Sequence, residues 1–222
     1  MRKGFLVSFE GGEGCGKSTQ IKKFSKWLEE KNLDYVLLRE PGGTELGEKI
    51  RNILLHDKDE LSSKTEFLLF SASRSKLVSD VVKPNLEIPG RIVVMDRYYD
   101  SSFAYQGYAG TLKLDDIETI TKFSIGEGAE PDLTFLLDLS YDTGMSRKSK
   151  DESLKDFDRI EQKGKSYHDR VRAGYLDLAK KHKDRFCVID ASKSVDEVFS
   201  QIVSEFERRY DLKMAKSGKK SK

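Results

Sequence analysis

The 222-residue sequence predicts one α/β domain of three layers, a mostly parallel sheet with helices packed on both faces. Three observations predict it: five short apolar runs spread along the chain, a helical periodicity in each interval between them, and a glycine-rich loop between the first run and the first helical stretch. The runs are Phe5 to Phe9, Tyr35 to Leu38, Ile92 to Met95, Leu133 to Leu139 and Phe186 to Ile189. They lack the strict polar alternation of a half-solvated strand, the pattern of strands covered on both faces.

Each interval carries apolar residues at helical spacing. Ile21, Phe24 and Leu28 share one face after the first run, and Leu46, Ile50, Ile53 and Leu54 do so after the second. Phe67, Leu68, Leu77, Val78 and Val81 mark a longer pattern before the third run, and Leu114, Ile117, Ile120 and Phe123 another before the fourth. Tyr167, Val171, Tyr175 and Leu178 precede the fifth run, and Val195, Val198, Phe199, Ile202 and Phe206 follow it. In such a sheet ligands collect beyond the carboxyl ends of the strands, so the residues just after each run carry the information about function.

Composition narrows the class. With 37% hydrophobic and 35% charged residues the chain is globular with a charged surface. No apolar run approaches the roughly 20 residues of a membrane span. Met1, Arg2 and Lys3 lead straight into the first run with no leader-like segment, so a cytoplasmic protein is expected. Cys15 and Cys187, the two cysteines, are read as reduced. The net charge of +2 comes from the last nine residues: subtracting Lys216, Lys219, Lys220 and Lys222 from 40 basic residues leaves 36 against 38 acidic ones. A near-neutral body argues against a dedicated nucleic-acid binder. Residues 1–212 read as a single domain, and 213–222 as a basic, disordered tail, with nucleic-acid or membrane contact as the other use of such a tail.

The glycine loop is the strongest motif. Gly11, Gly12, Glu13, Gly14, Cys15, Gly16, Lys17 and Ser18 fit G-x-x-x-x-G-K-[ST], placed after a strand and before a helix, with Thr19 following. Its N–H groups and the helix N-terminus would cradle phosphates, Lys17 would reach the β- and γ-phosphates of ATP, and Ser18 would ligate Mg²⁺. Cys15 reads first as a small loop residue and second as a reactive thiol, whose pKa its place at the same helix N-terminus would lower. The third run ends in Asp96 and Arg97. Asp96 fits the magnesium shell, though alone a strand-end aspartate is as readily a helix cap. Arg97 fits a two-pronged hold on a phosphate, and a surface ion pair would also use it. The N-K-x-D signature of guanine-reading switches is absent, and His56, His168 and His182 have no partnering acid or nucleophile at a recognisable spacing.

Several further segments resemble thymidylate kinases: Arg39-Glu40-Pro41-Gly42-Gly43-Thr44, Asp96-Arg97-Tyr98, Ser101 to Gln106, Pro131 to Thr134, and Asp158-Arg159-Ile160-Glu161. The resemblance runs in order from Phe5 to about Phe206. It implies a P-loop nucleoside-monophosphate-kinase fold with a five-stranded parallel sheet, a mobile lid at about 144–161, a homodimer, and transfer of the γ-phosphoryl of Mg·ATP to dTMP. By the same resemblance Arg39 and Arg97 hold the acceptor phosphate, Phe70 stacks on thymine and Arg74 bonds its O4. Tyr105 packs below the sugar and excludes a 2′-hydroxyl, Ser102 and Gln106 shape or read the base pocket, and Glu13 meets the 3′-hydroxyl. Without the likeness, Phe70 reads as plain core packing.

The loop has no arginine between Gly11 and Lys17, so the resemblance is to the bacterial arrangement, with the catalytic arginine in the lid. Arg159 is the first candidate and Arg147 the second, within a charged stretch from 147 to 159 that reads as an exposed loop. Another nucleotide or deoxynucleoside kinase on the same fold is the alternative, and a P-loop switch or binding protein a more distant one.

Overall fold

The computed structural model describes residues 3–57, 60–149 and 159–218. β1 (Phe5–Gly11), β2 (Tyr35–Arg39), β3 (Ile92–Asp96), β4 (Leu133–Asp138) and β5 (Phe186–Asp190) form one parallel sheet in the order β2-β3-β1-β4-β5. Four of them extend one or two residues past their apolar runs, which carries Gly11, Arg39, Asp96 and Asp190 to the strand tips. Phe9 and Arg39 both register with Asp96, so the tips of β1, β2 and β3 lie side by side. The chain leaves β1 toward β2 on one side and later crosses to β4 on the other, and such a reversal opens a crevice at the carboxyl end.

The helices alternate with the strands as the periodicity requires: α1 (Lys17–Glu30), α2 (Glu45–His56), α3 (Ser63–Leu77), α4 (Lys83–Glu87), α5 (Tyr99–Ser102), α6 (Leu114–Ile125), α7 (Tyr141–Ser149), α8 (Lys165–Lys181) and α9 (Val195–Gly218). Thr44 and Ser62 cap α2 and α3, accepting from the N–H groups of Gly47 and Thr65 at 3.0 and 3.1 Å. The opposite holds at α1: its first residue follows Gly16 at φ 86°, with no side-chain cap. The first-turn N–H groups are thus left for an anion.

Alternation along β1 divides the core. Phe5, Val7 and Phe9 face α1 and α9, where Phe24 and Phe206 meet edge-on with centroids 4.9 Å apart. Leu6 joins Val93, Met95, Leu77 and Tyr98 on the other face. Each such buried side chain stabilises the fold by roughly 1.5–3 kcal/mol. On that second face Ser8 and Glu10 are also buried, so the sheet carries a polar layer beneath the crevice.

Three segments differ from the periodic pattern. α3 passes into a π-helical turn, Val78–Val82, before α4, and α5 passes into another, Phe103–Tyr108. Turns of this kind re-aim side chains and recur at functional sites. Arg147 and Lys148 lie in α7 and not in an exposed loop: Lys148 is buried because its ammonium meets Glu161 at 2.5 Å. The rest of the stretch, 150–158, lies outside the described residues. The body also does not stop at 212. α9 continues, and Lys213 donates to Gly4 O at 2.8 Å and pairs with Asp132 at 2.7 Å.

Candidate active site

Among the described residues, two clefts meet at the carboxyl end of the sheet. One, of about 320 Å³, is lined by Arg39, Phe70, Arg74, Asp96, Ser102, Tyr105 and Gln106 among others. The other, of about 660 Å³, runs along the glycine loop from Gly12 to Gln20 and on to Arg147, Lys148 and the segment between Ala191 and Val198. Glu13, Lys17, Ser18, Arg97 and Glu161 line both. A group bound in one cleft therefore reaches a group bound in the other across these five side chains.

The loop adopts the conformation that its glycines allow, with φ 151° at Gly11, 68° at Gly14 and 86° at Gly16. It lies tight against α7: a Cβ at Gly14 would stand 2.2 Å from Gly144 O, and one at Gly144 would stand 2.1 Å from Glu13 O. Lys17 Nζ pairs with Asp96 Oδ1 at 2.5 Å, across the tips of β1 and β3. Ser18 lies one residue further on, at the open N-terminus of α1. A hydroxyl and a carboxylate beside a phosphate cradle are the oxygen donors that Mg²⁺ takes together with phosphates and water. Among the described residues no cluster of three His, Cys, Asp or Glu is placed to hold a metal ion.

Arg97 sits at the centre, with a left-handed backbone at φ 63°. Such a conformation in a residue with a Cβ is strained and tends to occur at functional sites. Its guanidinium donates to Gly11 O at 3.0 Å, Tyr175 Oη at 3.3 Å and Glu13 Oε1 at 3.0 Å, and lies over the Tyr105 ring. Tyr105 Oη also donates to Glu13, at 3.0 Å. Burial opposes the Glu13 charge, but Arg97, a hydrogen bond with Glu161, Lys17 and Tyr105 hold its pKa down at about 2. The glycine-loop acid is thus a fixed charge that orients Arg97.

Arg74 is 1% exposed. Its Nε donates to Glu40 Oε2 and its Nη2 to Ser102 Oγ, both at 2.8 Å, leaving Nη1 as a buried donor with no protein partner. A buried orphan donor in a cleft wall calls for a ligand acceptor. Phe70, four residues earlier on α3, lines the same cleft. Arg39 stands at the rim, donating to Glu48 at 2.9 Å.

The two lid candidates diverge. Arg147 lines the larger cleft and donates to Ala191 O and Ser192 O at 2.8 and 3.3 Å. Arg159 lines neither cleft: it donates to Leu54 O and pairs with Glu66 at 2.8 Å. Cys15 goes against its second reading, the reactive thiol, since burial pushes its thiol up against the opposing pull of Lys17 and Arg97.

Sequence reasoning missed Glu10, Glu40, Glu66, Lys148, Glu161 and Tyr175. Glu10, at the tip of β1, and Glu40, just after β2, had a positional signal, and Glu161 stands in a segment that carries the family likeness. The Glu10 carboxylate accepts from Tyr98 N and Ser101 Oγ at 2.7 Å and Tyr175 Oη at 2.8 Å. Burial and the charge of Asp100 raise its pKa to about 7, against Arg97 and the bonds from Ser101 and Tyr175. A carboxyl raised in the folded state binds its proton more tightly there, so its stabilising contribution is full below pH 4.5 and lost as pH rises through 7. In thermal melts wild type is expected to lose stability relative to Glu10→Gln by up to about 3 kcal/mol between pH 4.5 and 8. A pH-independent difference would contradict the assignment.

The parallel sheet, the phosphate cradle and two clefts meeting at Lys17 and Arg97 define a P-loop phosphotransferase that brings a nucleotide donor to a second phosphate-bearing ligand. The profile of thymidylate kinases matches residues 9–202. The thymidylate kinase of Kosmotoga olearia is 44% identical over 90% of this chain and 94% of its own, and that of Chlorobium luteolum 42% identical over 92% and 98%. The crystal structure of the Ehrlichia chaffeensis thymidylate kinase superposes with a TM-score of 0.73 at 31% identity, covering 92% of this chain and 98% of that one. The chain belongs to the thymidylate kinase family. It is a nucleotide-binding transferase.

Proposed function

We propose that the protein transfers the γ-phosphoryl group of ATP to the 5′-phosphate of dTMP, giving ADP and dTDP. The observation that carries this reading is the shared wall of the two clefts, where Lys17 and Arg97 are the cations. ATP occupies the larger cleft, its phosphates on the glycine loop and its base between Arg147 and the 191–198 segment. dTMP occupies the smaller one, with thymine against Phe70 and its O4 on Arg74 Nη1. Arg39 and Arg97 hold the acceptor phosphate, Glu13 meets the 3′-hydroxyl, and the Tyr105 ring leaves no room for a 2′-hydroxyl.

Ser18 and Asp96 would hold Mg²⁺, which when bound neutralises donor phosphate charge. The chain itself supplies position and fixed charge. Lys17 and Arg97 bracket the phosphoryl in transit, and Glu13 keeps Arg97 oriented. No general base is required, because the attacking phosphate oxygen is already ionised at neutral pH.

A coupled ADP-release assay with Mg·ATP tests this by comparing dTMP with dUMP, ribose TMP, dCMP, dGMP and AMP. Strong preference for dTMP is expected, and preference for any other acceptor would overturn the pocket assignment while leaving the loop intact. We place the enzyme in the cytoplasm; no described helix is long and apolar enough to cross a membrane. It acts as a homodimer through neighbouring helices α2, α3 and α6, whose Ile53, Leu68 and Phe123 expose apolar surface, the last by 90%. Sedimentation equilibrium showing a monomer at micromolar concentration would sink the dimer.

A further inference from the structure

On the reading that Gln106 lines the thymine pocket, we propose that Glu66 is a positioning residue for base selection: its carboxylate decides which end of the Gln106 amide is offered to the bound base. Glu66 lies on α3 one turn before Phe70 and is almost fully buried. Its two oxygens have different tasks. Oε1 accepts from Gln106 Nε2 at 2.7 Å, and Oε2 accepts from Arg159 Nη2 at 2.8 Å, with Lys163 Nζ at 3.6 Å. With two cations beside it, the carboxylate offers acceptors only.

An amide has a donor end and an acceptor end, and its neighbours fix which way it lies. Because Glu66 takes the NH₂ end, the amide is held with its carbonyl as the acceptor Gln106 has left for a ligand in the cleft it lines. Arg74 Nη1 supplies a donor in the same cleft. One acceptor and one donor complement the N3–H and O4 of thymine or uracil. Cytosine presents the same two functions, an acceptor at N3 and a donor at its 4-amino group, so acceptor would face acceptor and donor would face donor. A buried site built this way rejects the mismatched base because its own polar groups would be left unpaired.

Arg159 has a place in this arrangement. It donates twice to Leu54 O, at 3.2 and 3.1 Å, so its guanidinium is anchored to the end of α2 while it holds Glu66. The acid is thereby held through Oε2, the oxygen that Gln106 does not use. A purely structural ion pair between Glu66 and Arg159 would explain the burial but not the contact to Gln106.

The test is steady-state kinetics with dTMP and dCMP at saturating ATP, for the wild type, Gln106→Ala, Glu66→Gln, Glu66→Asp and the double variant Glu66→Gln with Gln106→Ala. An uncharged amide at 66 can donate or accept, which frees Gln106 to turn over. Glu66→Gln is expected to lower kcat/KM for dTMP by about 10- to 100-fold, chiefly through KM, and to lower the dTMP to dCMP preference at least about 10-fold. In the Gln106→Ala background the same change should move the preference by no more than about twofold, since the residue acts through Gln106. Glu66→Asp keeps the charge and should keep the preference within about twofold even where KM rises. This second variant serves should Glu66→Gln not fold. Equal losses on both acceptors, an undiminished effect without Gln106, or collapse of the preference in Glu66→Asp would each overturn the proposal. If Gln106→Ala alone leaves the preference unchanged, the base-pocket reading itself fails and the role of Glu66 falls with it.

Discussion

Replacing Arg97 with methionine is expected to lower kcat for dTMP phosphorylation by about 10³-fold, with a smaller change in the KM for ATP. Arg97 and Lys17 are the two cations on the wall common to both clefts, so the phosphoryl in transit loses one of two local positive charges. The loss is compounded by Glu13, which keeps its negative charge partly because Arg97 stands beside it. Without Arg97 that carboxylate faces the phosphates unopposed or takes up a proton. Arg97→Lys is expected to recover little, because a single ammonium cannot reach Gly11 O, Tyr175 and Glu13 from one position as the planar fork does. Steady-state kcat in the coupled assay is the measurement, and a loss below about tenfold would remove Arg97 from the transfer step.

Gly144→Ala is expected to damage both stability and ATP binding. Its Cβ would stand 2.1 Å from a backbone oxygen of the glycine loop, an atom that cannot turn aside as a flexible side chain can. Either α7 withdraws or the loop deforms. Overpacking of this kind costs about 1–3 kcal/mol, which for a chain of this size lowers Tm by about 2–12 °C. The same displacement disorders the N–H array that receives phosphate, so the KM for ATP should rise about tenfold or more. Differential scanning calorimetry and ATP titration read the two effects together. Unchanged Tm and KM would show that α7 does not abut the loop in solution.

The parts legible in the sequence are those set by local rules. β1, β3 and β4 are buried on both faces, so their runs are nearly continuous, and the glycine loop announces itself by spacing. The residues at the strand tips follow from the fold class, which is why Arg39, Asp96 and Arg97 stand out in the sequence itself. Phe70 and Arg74 needed the family likeness, since a phenylalanine on a helix is otherwise core. The pairings of Glu66 and Glu40 were not legible because their partners lie 40 and 34 residues away. Lys148 was read as loop because a run of charge normally marks solvent, and only the approach of Glu161 lets the lysine be buried. The placement of Tyr105 and Gln106 depends on a π-helical turn, which hydrophobic periodicity does not encode.

The packing of α9 on α1 has a consequence for biosynthesis. The helix that presents Lys17 and Ser18 to phosphate buries Phe24 against Phe206, and the donor cleft takes Val195 and Val198 from the first turn of α9. The glycine loop leaves the ribosome early, yet the cleft it lines also takes residues of α9, which follow much later in the chain. A nascent or truncated chain therefore carries the phosphate-binding sequence without the ATP site, and cellular ATP can stabilise only the finished fold.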